Sequence, residues 1–128
     1  MRLLIALAAI ALAACTTTGA QPADTNTVAD GASVELAPGE SATLADDSRL
    51  DYVKLDGDSR CRPDVQCVWA GDATIAMRWT PASGAAQAFE LHTTLDPKSF
   101  TAGSRTITLT SLERGDAPKA TLQVDPKH

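Results

Sequence analysis

Three cysteines have the most distinctive chemistry in this chain: Cys15, Cys61 and Cys67. A thiolate can attack a substrate, bind a metal ion, accept a lipid or form a disulfide, and its surroundings decide among these. Cys61 and Cys67 lie close together in the chain, whereas Cys15 follows an apolar N-terminal segment. An odd number of cysteines in an exported protein leaves one thiol to explain, so the isolated position of Cys15 is informative.

Residues 1–14 have the composition of a signal peptide. Arg2 supplies a positive start, residues 3–12 are apolar without interruption, and Ala13 and Ala14 precede Cys15. The apolar run, with both alanines, would form a helix of about 18 Å, which is too short for a bilayer core of about 30 Å. We therefore predict that this segment directs export and is removed.

The sequence Leu-Ala-Ala-Cys at residues 12–15 resembles the lipobox of bacterial lipoproteins. The resemblance implies cleavage before Cys15 and acylation of that residue, which would anchor the chain stably in a membrane. Thr16 resembles the non-aspartate residue that permits sorting to the outer membrane, facing the periplasm, in a Gram-negative host. The alternative is an ordinary secretory signal in which a cysteine happens to occupy this position.

Cys61 and Cys67 are expected to form a disulfide, because the cell envelope is oxidising. Closing a seven-residue loop would stabilise the fold by about 2.3 kcal/mol in the chain-entropy description. The alternative is a metal-binding pair. Zinc sites usually use two cysteines with about two to four residues between them and a second pair of ligands, and this chain has neither feature.

The residues around this pair resemble a signature of functionally uncharacterised small bacterial envelope proteins and lipoproteins. Residues 58–61 read DSRC and residues 65–71 read VQCVWAG, against a pattern of about D-S-R-C-P-x-x-V-x-C-V-W-A-G. The chain departs from it at Arg62, which shifts the proline to Pro63. The resemblance implies an envelope location and no particular activity.

The motif is interpreted first as a structural unit. Trp69 is placed to pack on the disulfide, and Gly71 permits a turn with positive φ. Arg60 could pair with Asp58 or Asp64, or donate to backbone carbonyls. The alternative is that Arg60, Arg62 and Trp69 form a ligand-facing patch.

The sequence lacks the residues of common catalytic sites. Histidine occurs only at His128, the last residue, and at His92, which shares the polar face of a predicted strand with Glu90 and is expected to be solvated. No G-x-S-x-G motif or phosphate-binding glycine loop is present. A calcium loop starting at Asp56 would need glycine and glutamate where Cys61 and Cys67 stand, leaving only an irregular calcium site as an alternative. We therefore predict no enzyme activity, no catalytic residue, no metal site and no cofactor.

The net charge of −5 narrows the possible partners. Binding to nucleic acid needs clustered lysines and arginines, so nucleic acid is disfavoured as a partner. An anionic membrane surface is disfavoured as well, at least through charge alone.

In the rest of the chain, alternating apolar and polar residues predict short strands. About seven are predicted, at residues 33–36, 42–44, 49–55, 72–80, 89–92, 106–110 and 120–125. Such one-sided strands form antiparallel sheets with one dry face. We predict an all-β antiparallel sandwich, with a small closed barrel as the alternative.

Three segments follow from these patterns. Residues 1–14 are the signal peptide, residues 15–31 are the lipidated cysteine and a flexible tether, and residues 32–128 are the β-domain. The expected function is that of a lipid-anchored, non-catalytic binding or structural module with an envelope protein or glycan as partner. Contacts would lie near Arg60 and Arg62 or in the loops at 81–87 and 96–104. The alternatives are an inhibitor of an incoming lysozyme or protease and, less favoured, an enzyme that uses carboxylates alone.

Overall fold

The computed structural model describes residues 26–62 and 64–126, so the predicted signal peptide and Cys15 lie outside the described residues. The described part contains strands and no helix, and therefore no helix that could cross a membrane. The strands are β1 (Thr27–Val28), β2 (Ser33–Leu36), β3 (Ser41–Leu44), β4 (Arg49–Asp58), β5 (Ala73–Thr80), β6 (Gln87–His92), β7 (Ser99–Ala102), β8 (Arg105–Leu112) and β9 (Ala120–Pro126).

The strands form two open sheets. One has the order β1-β3-β4-β5-β6 and the other has the order β2-β9-β8-β7. All neighbouring strands are antiparallel except β1 and β3, which are parallel. The predicted all-β sandwich is confirmed, and the sheets do not close into the alternative barrel.

The core lies between the inner faces of the two sheets. In β5 the alternate residues Ala73, Ile75, Met77 and Trp79 are buried, because successive side chains of a strand point to opposite faces. Side chains from β8 and β9 meet them from the other sheet. The hydroxyl of the fully buried Tyr52 donates to the carbonyl oxygen of Pro118 at 3.1 Å, so its polar end is satisfied within the core.

A register shift within β4 explains why both alternating sets of residues in its sequence include apolar side chains. Leu50 and Tyr52 point into the core, and the pairing with β5 then shifts between Tyr52 and Lys54. The extra residue, Val53, is 37% exposed, and Leu55 again packs against the core. A bulge changes which face the later residues occupy, so strict alternation fails across it.

The folded part begins earlier than the predicted boundary at residue 32. Val28 of β1 is buried, and Asp30 forms an ion pair with Arg105 at 2.6 Å. The Gly31 amide also donates to the carbonyl oxygen of Val124. Residues 26–31 are thus part of the domain and not of a tether, because Val28 is buried where β1 completes a sheet edge.

The segment predicted as a loop at residues 96–104 contains β7. The turn residues on both sides of this four-residue strand led to the prediction of a loop. Its Phe100 ring stacks on that of Phe89 from the other sheet, with ring centroids 3.9 Å apart. Pairing with β8 and this contact between the two sheets place the strand, and the local sequence reports neither.

Candidate functional site

Cys61 and Cys67 form the predicted disulfide, with their Cα atoms 5.8 Å apart. The bond closes the connection between β4 and β5, which we call the disulfide loop (residues 59–72). In the part of the chain that the structure describes, no cluster of three or more His, Cys, Asp or Glu side chains is arranged to hold a metal ion.

Arg60 ties the disulfide loop to the opposite sheet. Its Nε and Nη2 atoms donate to the Asp58 carboxylate at 2.9 and 2.7 Å. Nη1 donates to the carbonyl oxygen of Leu112 and Nη2 to that of Glu113, both at 2.7 Å. The side chain is only 11% exposed. Of the partners considered from sequence, the structure thus gives Arg60 both Asp58 and backbone carbonyls.

The charges of this pair stabilise each other. The hydrogen bond from Arg60 lowers the pKa of Asp58, although partial burial of the carboxylate opposes it. The hydrogen bond to Asp58 raises the pKa of Arg60 in turn. Both groups therefore stay ionised, and the pair acts as a charged crosslink within the site.

The chain crosses itself closely at the base of the loop. The Ser59 amide donates to the carbonyl oxygen of Asp72 at 2.8 Å, and the Asp72 amide donates to the Ser59 hydroxyl at 3.0 Å. Gly71 has φ of 64°, and a Cβ atom there would lie 2.5 Å from the Ser59 carbonyl oxygen and 2.6 Å from the Arg60 Cα. Only glycine fits this crossing without moving the backbone.

Trp69 is attached to the loop by its polar edge and leaves much of its ring in solvent. Its indole Nε1–H donates to the carbonyl oxygen of Ser59 at 3.0 Å, while the residue is 58% exposed. Its neighbour Val68 is fully exposed and Val65 is 43% exposed. We call Val65, Val68 and Trp69 the apolar patch.

Arg62, unlike the other predicted motif residues, is not fixed by close contacts within the loop. Its side chain is 75% exposed and its Nε atom lies 3.9 Å from the Asp64 carboxylate, which is 77% exposed. An ion pair so open to water contributes little to stability. Both side chains therefore remain available to other partners.

An open cleft of about 420 Å³ lies beside Arg60, between the disulfide loop and the β8–β9 connection. We call it the charged cleft, and it is lined by Asp58, Arg60, Arg62, Asp64, Arg114, Gly115 and Asp116. Arg114 and Asp116 were not singled out from the sequence. They lie about fifty residues beyond the motif, and only the sandwich brings the two segments together.

His92 differs from its expected role as a solvated surface residue. Its Nδ1 atom lies 2.6 Å from the Asp72 carboxylate and 3.1 Å from the Thr74 hydroxyl, and its side chain is 18% exposed. A hydroxyl–histidine–aspartate relay would need the hydroxyl and the carboxylate on opposite ring nitrogens. Because both contact Nδ1, these residues form a structural cluster at the base of the loop and not a relay.

The Asp72 carboxylate is strongly stabilised. Burial alone would raise its pKa, but hydrogen bonds from His92 and from the amides of Thr94 and Leu95 outweigh burial and hold the pKa of Asp72 at about 2, against an ordinary value of 3.8. The folded state thus favours the carboxylate. The ionised carboxylate contributes its full stabilisation when the pH is above the pKa that Asp72 has in the unfolded chain. This stabilisation is lost as the pH falls through the folded-state pKa of about 2.

Replacing Asp72 with asparagine should remove this pH dependence. The free energies of unfolding of the native protein and Asp72→Asn should differ by about 1–2 kcal/mol more at pH 5 than near pH 2, allowing for solvent screening. Urea unfolding at several pH values measures the difference. Asp64→Asn, at an exposed site, is the control and should keep the pH dependence. A constant difference between native protein and Asp72→Asn would contradict the prediction.

Comparison with known proteins found no matching protein family, no matching curated protein and no matching solved structure. The resemblance of the motif to envelope lipoproteins stays a prediction. What the chain does is therefore inferred from its own residues and geometry.

Proposed function

We propose that this chain is a non-catalytic, lipid-anchored envelope protein that binds another envelope protein through its disulfide loop. Acylated Cys15 would hold the domain at the membrane, most simply the outer membrane facing the periplasm. That part of the proposal is supported by the signal-peptide and lipobox patterns of residues 1–15.

The apolar patch is the observation that carries the binding proposal. Among the described residues, five large hydrophobic side chains are exposed, and three of them, Val65, Val68 and Trp69, fall within five positions of one loop. Single exposed apolar residues are ordinary, whereas a cluster marks a contact surface. Tryptophan is also enriched among the residues that dominate binding energy at protein interfaces.

The loop is held in one shape without burying these side chains. The disulfide closes it, Arg60 fastens it to Leu112 and Glu113, and the Trp69 N–H fixes the indole edge. A surface held in advance loses less conformational entropy on binding. These contacts support a loop that is built to present its apolar side chains.

A protein partner fits the patch better than the other classes considered. The fully exposed aliphatic Val68 gains most from an apolar pocket, which proteins supply and polar glycans do not. The acidic net charge of −5 opposes nucleic acid. A partner with an apolar groove for Trp69 and Val68 is therefore the class we propose.

Photo-crosslinking from position 68 tests the binding proposal. We expect full-length, anchored protein with a photoreactive amino acid in place of Val68 to yield a reproducible protein adduct in the intact envelope. The same label in place of Val53, which is 37% exposed on strand β4, is the control and should not give that adduct. No adduct at position 68, the same adducts at both positions, or an adduct only with glycan would overturn the proposal.

A second variant separates loss of contact from loss of folding. With the label at position 68, Trp69→Ala should abolish the adduct while the disulfide and the cooperative thermal transition persist. Leu95→Ala removes another exposed apolar side chain, 60% exposed, and should leave the adduct unchanged. An adduct that survives Trp69→Ala would contradict the assigned role of the indole.

The braced loop also fits a second candidate function, inhibition of an incoming hydrolase. A rigid, exposed loop is the form in which many inhibitors enter an enzyme cleft, because little entropy is then lost on binding. Stoichiometric addition of the purified protein to a panel of muramidases and proteases should lower the activity of one of them. No effect across the panel would remove this candidate.

A further inference from the structure

We propose that the charged cleft binds a small zwitterion, namely a short peptide or amino acid with a free carboxylate and a free ammonium group. This ligand site goes beyond the protein-binding function proposed for the apolar patch. None of the residues of the patch lines the cleft.

The walls of the cleft come from two segments that Arg60 holds together. One wall is the start of the disulfide loop, and the other is the turn after β8 that carries Arg114 and Asp116. The bonds from Arg60 to the carbonyls of Leu112 and Glu113 fix the spacing between them. The volume of about 420 Å³ lies within the range of about 300–1,000 Å³ usual for small-molecule sites.

Four charged side chains of the cleft are free to meet a ligand. Arg60 and Asp58 are engaged with each other. Arg62 and Asp64 form only a long, exposed pair at 3.9 Å, and the side chains of Arg114 and Asp116 form no ion pair within residues 26–62 and 64–126. Two guanidinium groups and two carboxylates therefore line the opening.

This balance of charge favours a ligand that carries both signs. Guanidinium groups bind carboxylates through paired hydrogen bonds, and aspartates accept hydrogen bonds from an ammonium group. A simple anion would meet the arginines and leave two carboxylates facing it, and a polyanion would also be repelled by the net charge of −5. A zwitterion offers a partner to each free group.

Titration with alanyl-alanine, followed by calorimetry, tests this proposal on the mature, detergent-solubilised protein. We expect saturable binding that weakens about tenfold or more when the dipeptide is N-acetylated or when its carboxylate is converted to an amide. Arg114→Gln and Asp116→Asn should each weaken binding by a similar factor. Arg78→Gln, at an exposed arginine outside the cleft, should bind like the native protein.

Each other outcome overturns the proposal. Equal binding of the acetylated dipeptide would make the cleft an anion site, and equal binding of the amide would make it a cation site. Absence of saturable binding, or full binding by Arg114→Gln, would leave the cleft without this role. Trp69→Ala should keep dipeptide binding and Arg114→Gln should keep the position-68 adduct, so failure of one proposal is distinguishable from failure of the other.

Discussion

Replacing Arg60 with alanine is expected to lower the free energy of unfolding by about 3 kcal/mol. The change removes the two bonds to Asp58 and leaves that carboxylate with only the Arg60 backbone amide at 3.0 Å. It also leaves the carbonyl oxygens of Leu112 and Glu113 without their charged donor. The loss is large because the guanidinium is almost buried and joins two separate segments.

Arg62→Ala is the matched control, two positions away in the same loop. Its side chain is 75% exposed and makes only one long ion pair, so its removal should change the free energy of unfolding by about 0.5 kcal/mol or less. Urea unfolding of both variants measures the comparison. Equal losses in the two variants would contradict the role of Arg60 as the crosslink between the loop and β8.

Replacing Gly71 with alanine should also destabilise the protein by about 3 kcal/mol. A positive φ of 64° is energetically unfavourable for alanine, and the added methyl group would lie 2.5 Å from the Ser59 carbonyl oxygen. The neighbouring atoms belong to the backbone and cannot rotate away. The crossing at the base of the disulfide loop must therefore open.

Gly39→Ala separates the cost of the positive φ from the cost of the steric clash. Gly39 also has positive φ, at 90°, but a Cβ atom there would meet nothing within 4 Å. The free energy of unfolding of Gly39→Ala should fall by about 1 kcal/mol, which is the cost of the positive φ alone. Thermal and urea unfolding of both variants give the difference, which reports the steric clash. Equal losses would show that the close contact at Gly71 relaxes at no cost.

The inward face of the fold could be predicted where the period of the sequence is regular. Alternation in β5 gave the buried residues from Ala73 to Trp79 correctly. It failed beyond Val53, where a bulge interrupts the period and turns Leu55 instead of Lys54 toward the core, and at β7, whose Phe100 stacks on Phe89 of the other sheet. Strand patterns report local geometry, and both exceptions depend on contacts with other strands.

In the site, contacts between neighbouring residues could be predicted from the sequence, whereas contacts between separate segments could not. The Arg60–Asp58 pair and the positive φ of Gly71 follow from neighbours within the motif. The contribution of Arg114 to the cleft and the contact of His92 with Asp72 do not, because the partners lie about twenty to fifty residues apart. Only the pairing of the strands brings them together.

Mass spectrometry of the protein purified from its own cells without reductant tests directly whether the chain is lipid-anchored and its loop cysteines are paired. We expect an N-terminal peptide that starts at Cys15 and carries acyl chains, together with peptides joined through Cys61 and Cys67. An N-terminus at Met1 or an unmodified Thr16, with both loop cysteines as free thiols, would contradict an anchored envelope protein with a braced binding loop.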